Sequence, residues 1–289
     1  MTKSLIFVSA SALALAAFAA PASAEEVHIK NAVARVAVVV EDRADVAVEV
    51  EQGSSGLPAI KVSRRGDEVI IDGDLGRNAI RNCRSGPAGA AQPGQGATVE
   101  VRDHGNIDVS NAPLIVIRSP RAVDVGAGGA VWGSVGRGAS SVSVGTAGCG
   151  GWTVANVDGP LEANVGGSGT IRAGTSRSLE VNIGGSGDIA TGATGDTAVN
   201  IGGSGDVNIA GVNGAFEASI AGSGNVVVRG GRAERFEASV AGSGDVDFQG
   251  SAGAVEVNLM GGGDIRIASA SGPIERNVMG GGRLTIGNQ

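Results

Sequence analysis

The stretch Leu179-Glu180-Val181-Asn182-Ile183-Gly184-Gly185-Ser186-Gly187-Asp188-Ile189 decides the architecture. Leu179, Val181 and Ile183 alternate with Glu180 and Asn182, the two-residue period of a half-buried strand. The glycines then form a corner, and Ile189 opens a second short strand. The same pattern starts again at Leu161, Thr197, Phe216, Phe236, Val255 and Ile274. The apolar residue before the glycines falls at Val165, Ile183, Ile201, Ile220, Val240, Leu259 and Val278, with weaker copies at Val125 and Val144. Steps of 18 to 21 residues separate them. A fixed period places each residue over its equivalent one turn away, at about 4.8 Å. The chain is therefore expected to be all-β, a parallel β-helix solenoid of about nine turns over residues 120–289 and ~43 Å long. Phe216 should lie over Phe236 in one inner row.

A left-handed coil favours an apolar residue at every sixth position. That spacing fails at Arg177, Gly195, Asn213 and Arg232, which favours a right-handed coil. A glycine in regular structure costs about 0.5–1 kcal/mol relative to Ala. Three per turn make sense where a corner needs positive φ or close backbone approach.

Residues 25–119 lack the period. Short alternating runs such as Val36–Val40, Val46–Val50 and Leu114–Ile117 predict irregular β-structure that caps the open solenoid edge, either as a separate N-terminal cap or as the solenoid's first distorted turns. Residues 72–96 read as a Gly/Pro/Arg-rich loop holding Cys83. Ahead of the cap, Lys3, the apolar run Leu5–Ala20 and the Ala22-Ser23-Ala24 site form a signal peptide over residues 1–24, with cleavage after Ala24. The apolar run is shorter than the ~20 residues of a membrane span, and no other run is long enough, so the mature chain is expected to have none. Export to the periplasm or cell surface follows. In that oxidising setting Cys83 and Cys149 are a candidate disulfide.

Composition removes several functions. The chain has 289 residues, a net charge of −7, two Trp, five Phe and no Tyr, which leaves no basic footprint or stacking platform for nucleic acid. Gly, at 51 residues, lacks the every-third-residue period of collagen. No Lys lies beyond Lys61 and no His beyond His104, so a His-based triad within the repeats is excluded and multi-His zinc sites are disfavoured. His28 and His104 read as surface residues. Gly-Gly-Ser-Gly lacks the Lys and following helix of a phosphate loop. It also has Ile189 where the nonapeptide calcium roll needs Asp. No catalytic residue, metal site or cofactor is assigned.

Carboxylates remain. One outer row carries Glu162, Glu180, Glu217, Glu237, Glu256 and Glu275, broken by Ala198. A corner row carries Thr170, Asp188, Asp206, Asn225, Asp245, Asp264 and Arg283. Charges ~4.8 Å apart in water repel by about 0.9 kcal/mol, which a solvated face tolerates. The outer row reads as a solubilising face, with a ladder for cations or a basic partner as the sharper alternative. Trp132 and Trp152 stand outside the regular repeats, either as packing for the first turns or as a platform for a sugar.

These repeats behind a signal peptide resemble the head GIN domain family of bacterial auto-transporter adhesins. The resemblance is clearest over 161–289 and extends back to about 110 through Ala112–Ile117 and Gly148–Trp152. It implies a right-handed, pectin-lyase-like β-helix without conserved catalytic residues, and a role in adhesion. The Gly-rich repeat runs to Gln289 without the aromatic girdles of a transmembrane barrel, so the chain is not expected to anchor or export itself. The expected function is an exported, non-enzymatic solenoid adhesin that binds a polysaccharide or envelope component. The alternatives are a polysaccharide lyase or hydrolase, whose nearest dense basic run is Arg229, Arg232 and Arg235, and a purely structural envelope protein.

Overall fold

The computed structural model describes residues 25–87 and 94–287. The signal peptide and its cleavage site after Ala24 lie outside them, as do Asn288 and Gln289. The described chain is a parallel β-solenoid with N-terminal mixed strands and a small antiparallel sheet.

From residue 122 onward each turn lays one strand on each of two faces. The first face stacks 122–127, 141–146, 160–165, 178–183, 196–201, 216–220, 236–240, 255–259 and 274–278, nine parallel layers in register. The second face carries Trp152, Ile171, Ile189, Val207, Val226, Val246, Ile265 and Leu284 in one row. The alternation sets this arrangement: Leu179, Val181 and Ile183 are buried, whereas Glu180 is exposed and Asn182 half-buried. Each fully buried aliphatic side chain contributes about 1.5–3 kcal/mol. Phe216 stacks on Phe236 with ring centroids 5.2 Å apart, as the repeat predicts. Phe248 joins them from the second face at 5.6 and 5.4 Å.

The corner glycines are there for close approach. A Cβ on Gly185 would lie 2.1 Å from the carbonyl oxygen of Gly167 one turn below, and one on Gly187 would lie 1.9 Å from that of Gly169. Gly184 has open space, and later copies place Ala221, Ala241, Met260 and Met279 at that position.

The N-terminal segment contains β1 (Glu26–Val40), β2 (Ala47–Glu51), β3 (Lys61–Arg65), β4 (Glu68–Asp72), β5 (Ile80–Arg84), β6 (Thr98–Val101), β7 (Gly105–Asp108), β8 (Leu114–Ser119) and β9 (Ala122–Val135). β1 pairs in parallel with β9 across both faces, so it forms a layer of the solenoid itself. β4 and β8 pair in parallel with the two halves of β1. β3 and β2 then close those edges as antiparallel strands, the arrangement that stops further parallel stacking at that end.

Strands β5–β7 form the separate antiparallel sheet. It packs through Val99, Val101 and Ile107 against outward-facing Val33, Ala130 and Trp132 of the solenoid. Cys83 on β5 is disulfide-bonded to Cys149 on the strand Cys149–Val154, with Cα atoms 6.4 Å apart. Both tryptophans are packing residues. Trp152 fills the interior opposite Gly133, where any Cβ would strike its ring, and Trp132 lies under the small sheet. The alternative of an exposed sugar platform is corrected by this burial.

At the other end, Arg276 occupies the inward row filled by Val257 one turn earlier, and it is exposed. An inward-pointing charge is an established way to discourage edge-to-edge pairing.

Candidate functional site

The first face carries the acidic row in register. Glu162, Glu180, Ala198, Glu217, Glu237, Glu256 and Glu275 stack in that order. The row also continues backwards through Ser143, Asp124, Glu26 and Glu68. Sequence reasoning missed this extension because β1 and β4 lie outside the periodic repeats. The signal was present in Glu26-Val27-His28-Ile29, whose alternation matches that of the later strands.

Cations meet the row at Glu26 and Glu68 on one side of its middle and at Glu237 and Glu256 on the other. His28 Nε2 lies 2.8 Å from Glu26 and 3.6 Å from Glu68. Arg235 pairs with Glu237 and reaches Glu256 at 4.0 Å. Among the described residues no ion pair reaches Glu162, Glu180 or Glu217. Glu162 and Glu180 instead accept side-chain hydrogen bonds from Asn164 at 2.8 Å and Asn182 at 3.3 Å. Asn182 and Asn200 each donate to the Asn one turn before, at 3.0 and 3.1 Å. This amide ladder fixes the spacing of the row beside it.

The open stretch borders a groove of about 560 Å³. Its other side is a small, partly apolar row in which Pro160, Ser178 and Asp196 stand in register, with Ser141 and Ala215 also lining the groove. Asp124 lies at one end, half-buried. Burial, with Glu26 and Glu162 nearby, holds its carboxyl above the usual carboxylate range, opposed by His28 and by a hydrogen bond to Ser143. This arrangement can hold an extended chain along the solenoid axis and attract positive charge to it. Among the described residues no cluster of three or more His, Cys, Asp or Glu could hold a metal ion.

The corner row has a different role. Asp188 accepts from the backbone N–H of Asp206 at 3.1 Å, Asp206 from that of Asn225 at 3.0 Å, and Asn225 from that of Asp245 at 3.0 Å. Asp245 and Asp264 continue the series to Asp264 and Arg283 at 2.7 and 3.1 Å. These side chains staple successive turns, so the row is structural. His104 is exposed, and Arg229, Arg232 and Arg235 line no part of the groove.

No helix among the described residues is long and apolar enough to cross a membrane. No curated protein and no solved structure is significantly similar to the chain. The disulfide and the family comparison both fit an exported protein. Residues 196–289 match the family model described as Putative auto-transporter adhesin, head GIN domain, so the resemblance read from the repeats is found in the C-terminal region of the chain.

Proposed function

We propose that the protein is a non-enzymatic adhesin of the cell envelope or surface, which binds a linear polymer along the groove of its first face. The polymer's positive groups would meet the uncompensated carboxylates of Glu162, Glu180 and Glu217. The observation that carries this reading is the axial run of carboxylates beside a groove that spans successive turns. Repeated weak contacts along a rigid face give avidity without a deep pocket.

One observation favours an enzyme instead: the raised carboxyl of Asp124 at the groove end, a property of general acids. Size-exclusion chromatography of residues 25–289 with chitosan oligomers, dextran and alginate separates the two readings. The adhesin reading predicts co-elution with intact chitosan oligomers. Shortened polymer would replace it with the enzyme reading.

A further inference from the structure

The two ends of the solenoid are finished differently. At the N-terminal end the parallel layers stop under antiparallel strands. β2 places Val48 and Val50 over Ile117 and Ile115 of β8, and β3 lies along β4. Each closing strand carries charge opposite to that of the strand it covers. β3 sets Arg65 opposite Glu68 and Lys61 opposite Asp72. β2 supplies Glu49, which lies 3.0 Å from Nε of Arg118 on β8.

At the other end the strands Ile274–Gly280 and Arg283–Ile286 form the last described layer. Each pairs with the strand one turn before it, and among the described residues nothing pairs with its other edge. Such an edge presents a row of unbonded N–H and C=O groups. The inner rows are open there as well. Leu259 is 0% exposed, whereas Val278 in the same row is 40% exposed. Leu284 and Ile286 are half-buried over the fully buried Ile265 and Ile267. Arg276 stands in this inner row between Ile274 and Val278, and its guanidinium has no hydrogen-bond or ion-pair partner among the described residues.

We infer that this edge takes an antiparallel β-strand of a partner polypeptide, with an acidic side chain at its centre and an apolar one two residues to either side. The apolar pair covers Ile274 and Val278, the carboxylate meets the Arg276 guanidinium, and the backbones complete the ladder that the last layer leaves open. A guanidinium matches a carboxylate with two parallel hydrogen bonds. The partner strand thus repeats what β2 does at the far end, apolar residues inward and charge answering charge. Arg276 also selects against a second copy of this chain. The antiparallel register that sets Ile274 opposite Val278 sets the two Arg276 side chains opposite each other, and like charges directly opposite are destabilising. The edge lies beyond the acidic groove and does not depend on what that groove binds.

The test uses residues 25–289 and a labelled synthetic strand, acetyl-Thr-Val-Thr-Glu-Lys-Ile-Thr-amide, followed by fluorescence anisotropy. In antiparallel register its Val, Glu and Ile stand opposite Val278, Arg276 and Ile274. The peptide is expected to bind about tenfold more tightly than the same peptide with Lys in place of Glu. Arg276→Glu, at an exposed position, is expected to reverse that preference at an unchanged melting temperature. The triple variant Glu162→Gln, Glu180→Gln, Glu217→Gln is expected to bind the peptide as the parent does. Equal binding of the two peptides, binding of neither, or a preference that survives Arg276→Glu overturns the proposal. Loss of binding in the triple variant places the peptide in the acidic groove and overturns it too. A dimer of the parent that excludes the peptide in sedimentation assigns the edge to a second copy instead.

Discussion

Asp206 holds Asn225 twice: its Oδ1 accepts the Asn225 backbone N–H at 3.0 Å and the Asn225 side-chain amide at 2.9 Å, one turn away. The carboxylate caps a corner N–H that strand pairing leaves over. Asp206→Ala removes both bonds while Asn225 stays in place. A hydrogen bond to a charged group contributes about 1.5–3 kcal/mol net, less where solvent reaches it. The expected loss is about 1–2 kcal/mol in urea unfolding, with Asp206→Asn recovering most of it. An unchanged midpoint for Asp206→Ala would show that the corner ladder holds nothing.

The three corner glycines are not equivalent. Gly184 faces open space, whereas a Cβ on Gly185 meets the Gly167 carbonyl. Gly184→Ala should leave thermal stability within about 0.5 kcal/mol, the range of surface substitutions. Gly185→Ala must displace backbone and is expected to cost on the order of 1–3 kcal/mol. Thermal unfolding of the two variants side by side reads the difference directly.

The Cys83–Cys149 bond spans 66 residues and ties the small sheet to the solenoid. Loop-closure entropy puts its contribution at up to about 4 kcal/mol. A Cys83→Ser, Cys149→Ser double variant should lose protease resistance first within residues 75–112, while the repeats from 160 onward stay protected. Limited proteolysis with mass mapping checks the order. Simultaneous loss of both regions would contradict it.

Asp124 titrates above the ordinary carboxylate value of 3.8 because burial and the neighbouring Glu26 and Glu162 penalise its charge. A raised acid pKa means the folded state holds the proton more tightly than the unfolded one. Ionised Asp124 therefore weakens the fold above the folded pKa, and the penalty disappears as pH falls below 3.8. Asp124→Asn is expected to raise the melting temperature at pH 7 by about 1–3 °C. The gain should shrink as the carboxyl of the parent protein protonates. A lower melting temperature at pH 7 would mean that the Ser143 and His28 contacts outweigh the repulsion.

Much of this architecture is legible in the repeats. Alternation at Leu179, Val181 and Ile183 with a fixed period sets both the inner rows and the order of the acidic row, and it stacks Phe216 on Phe236. Two features are not legible that way. β1 meets β9 across some 90 residues of intervening chain, and nothing local encodes so distant a partner. The corner Asp residues look like the outer Glu row in sequence. Only the geometry shows that their short side chains reach the next turn's N–H, while the longer Glu side chains beside the Asn ladder do not. Part of the groove was visible as the Glu row. Its extension through Asp124, Glu26 and Glu68 depended on the non-local pairing of β1.

The central claim is that the uncompensated middle of the acidic row carries the binding. Its most direct test is the affinity of residues 25–289 for chitosan oligomers, compared with that of the triple variant Glu162→Gln, Glu180→Gln, Glu217→Gln. Exposed charge pairs contribute about 0.2–1 kcal/mol each, so three together predict a loss of roughly threefold to a hundredfold. The parent's affinity should also fall as salt rises. Equal affinities for parent and variant, or binding by neither, would contradict the account.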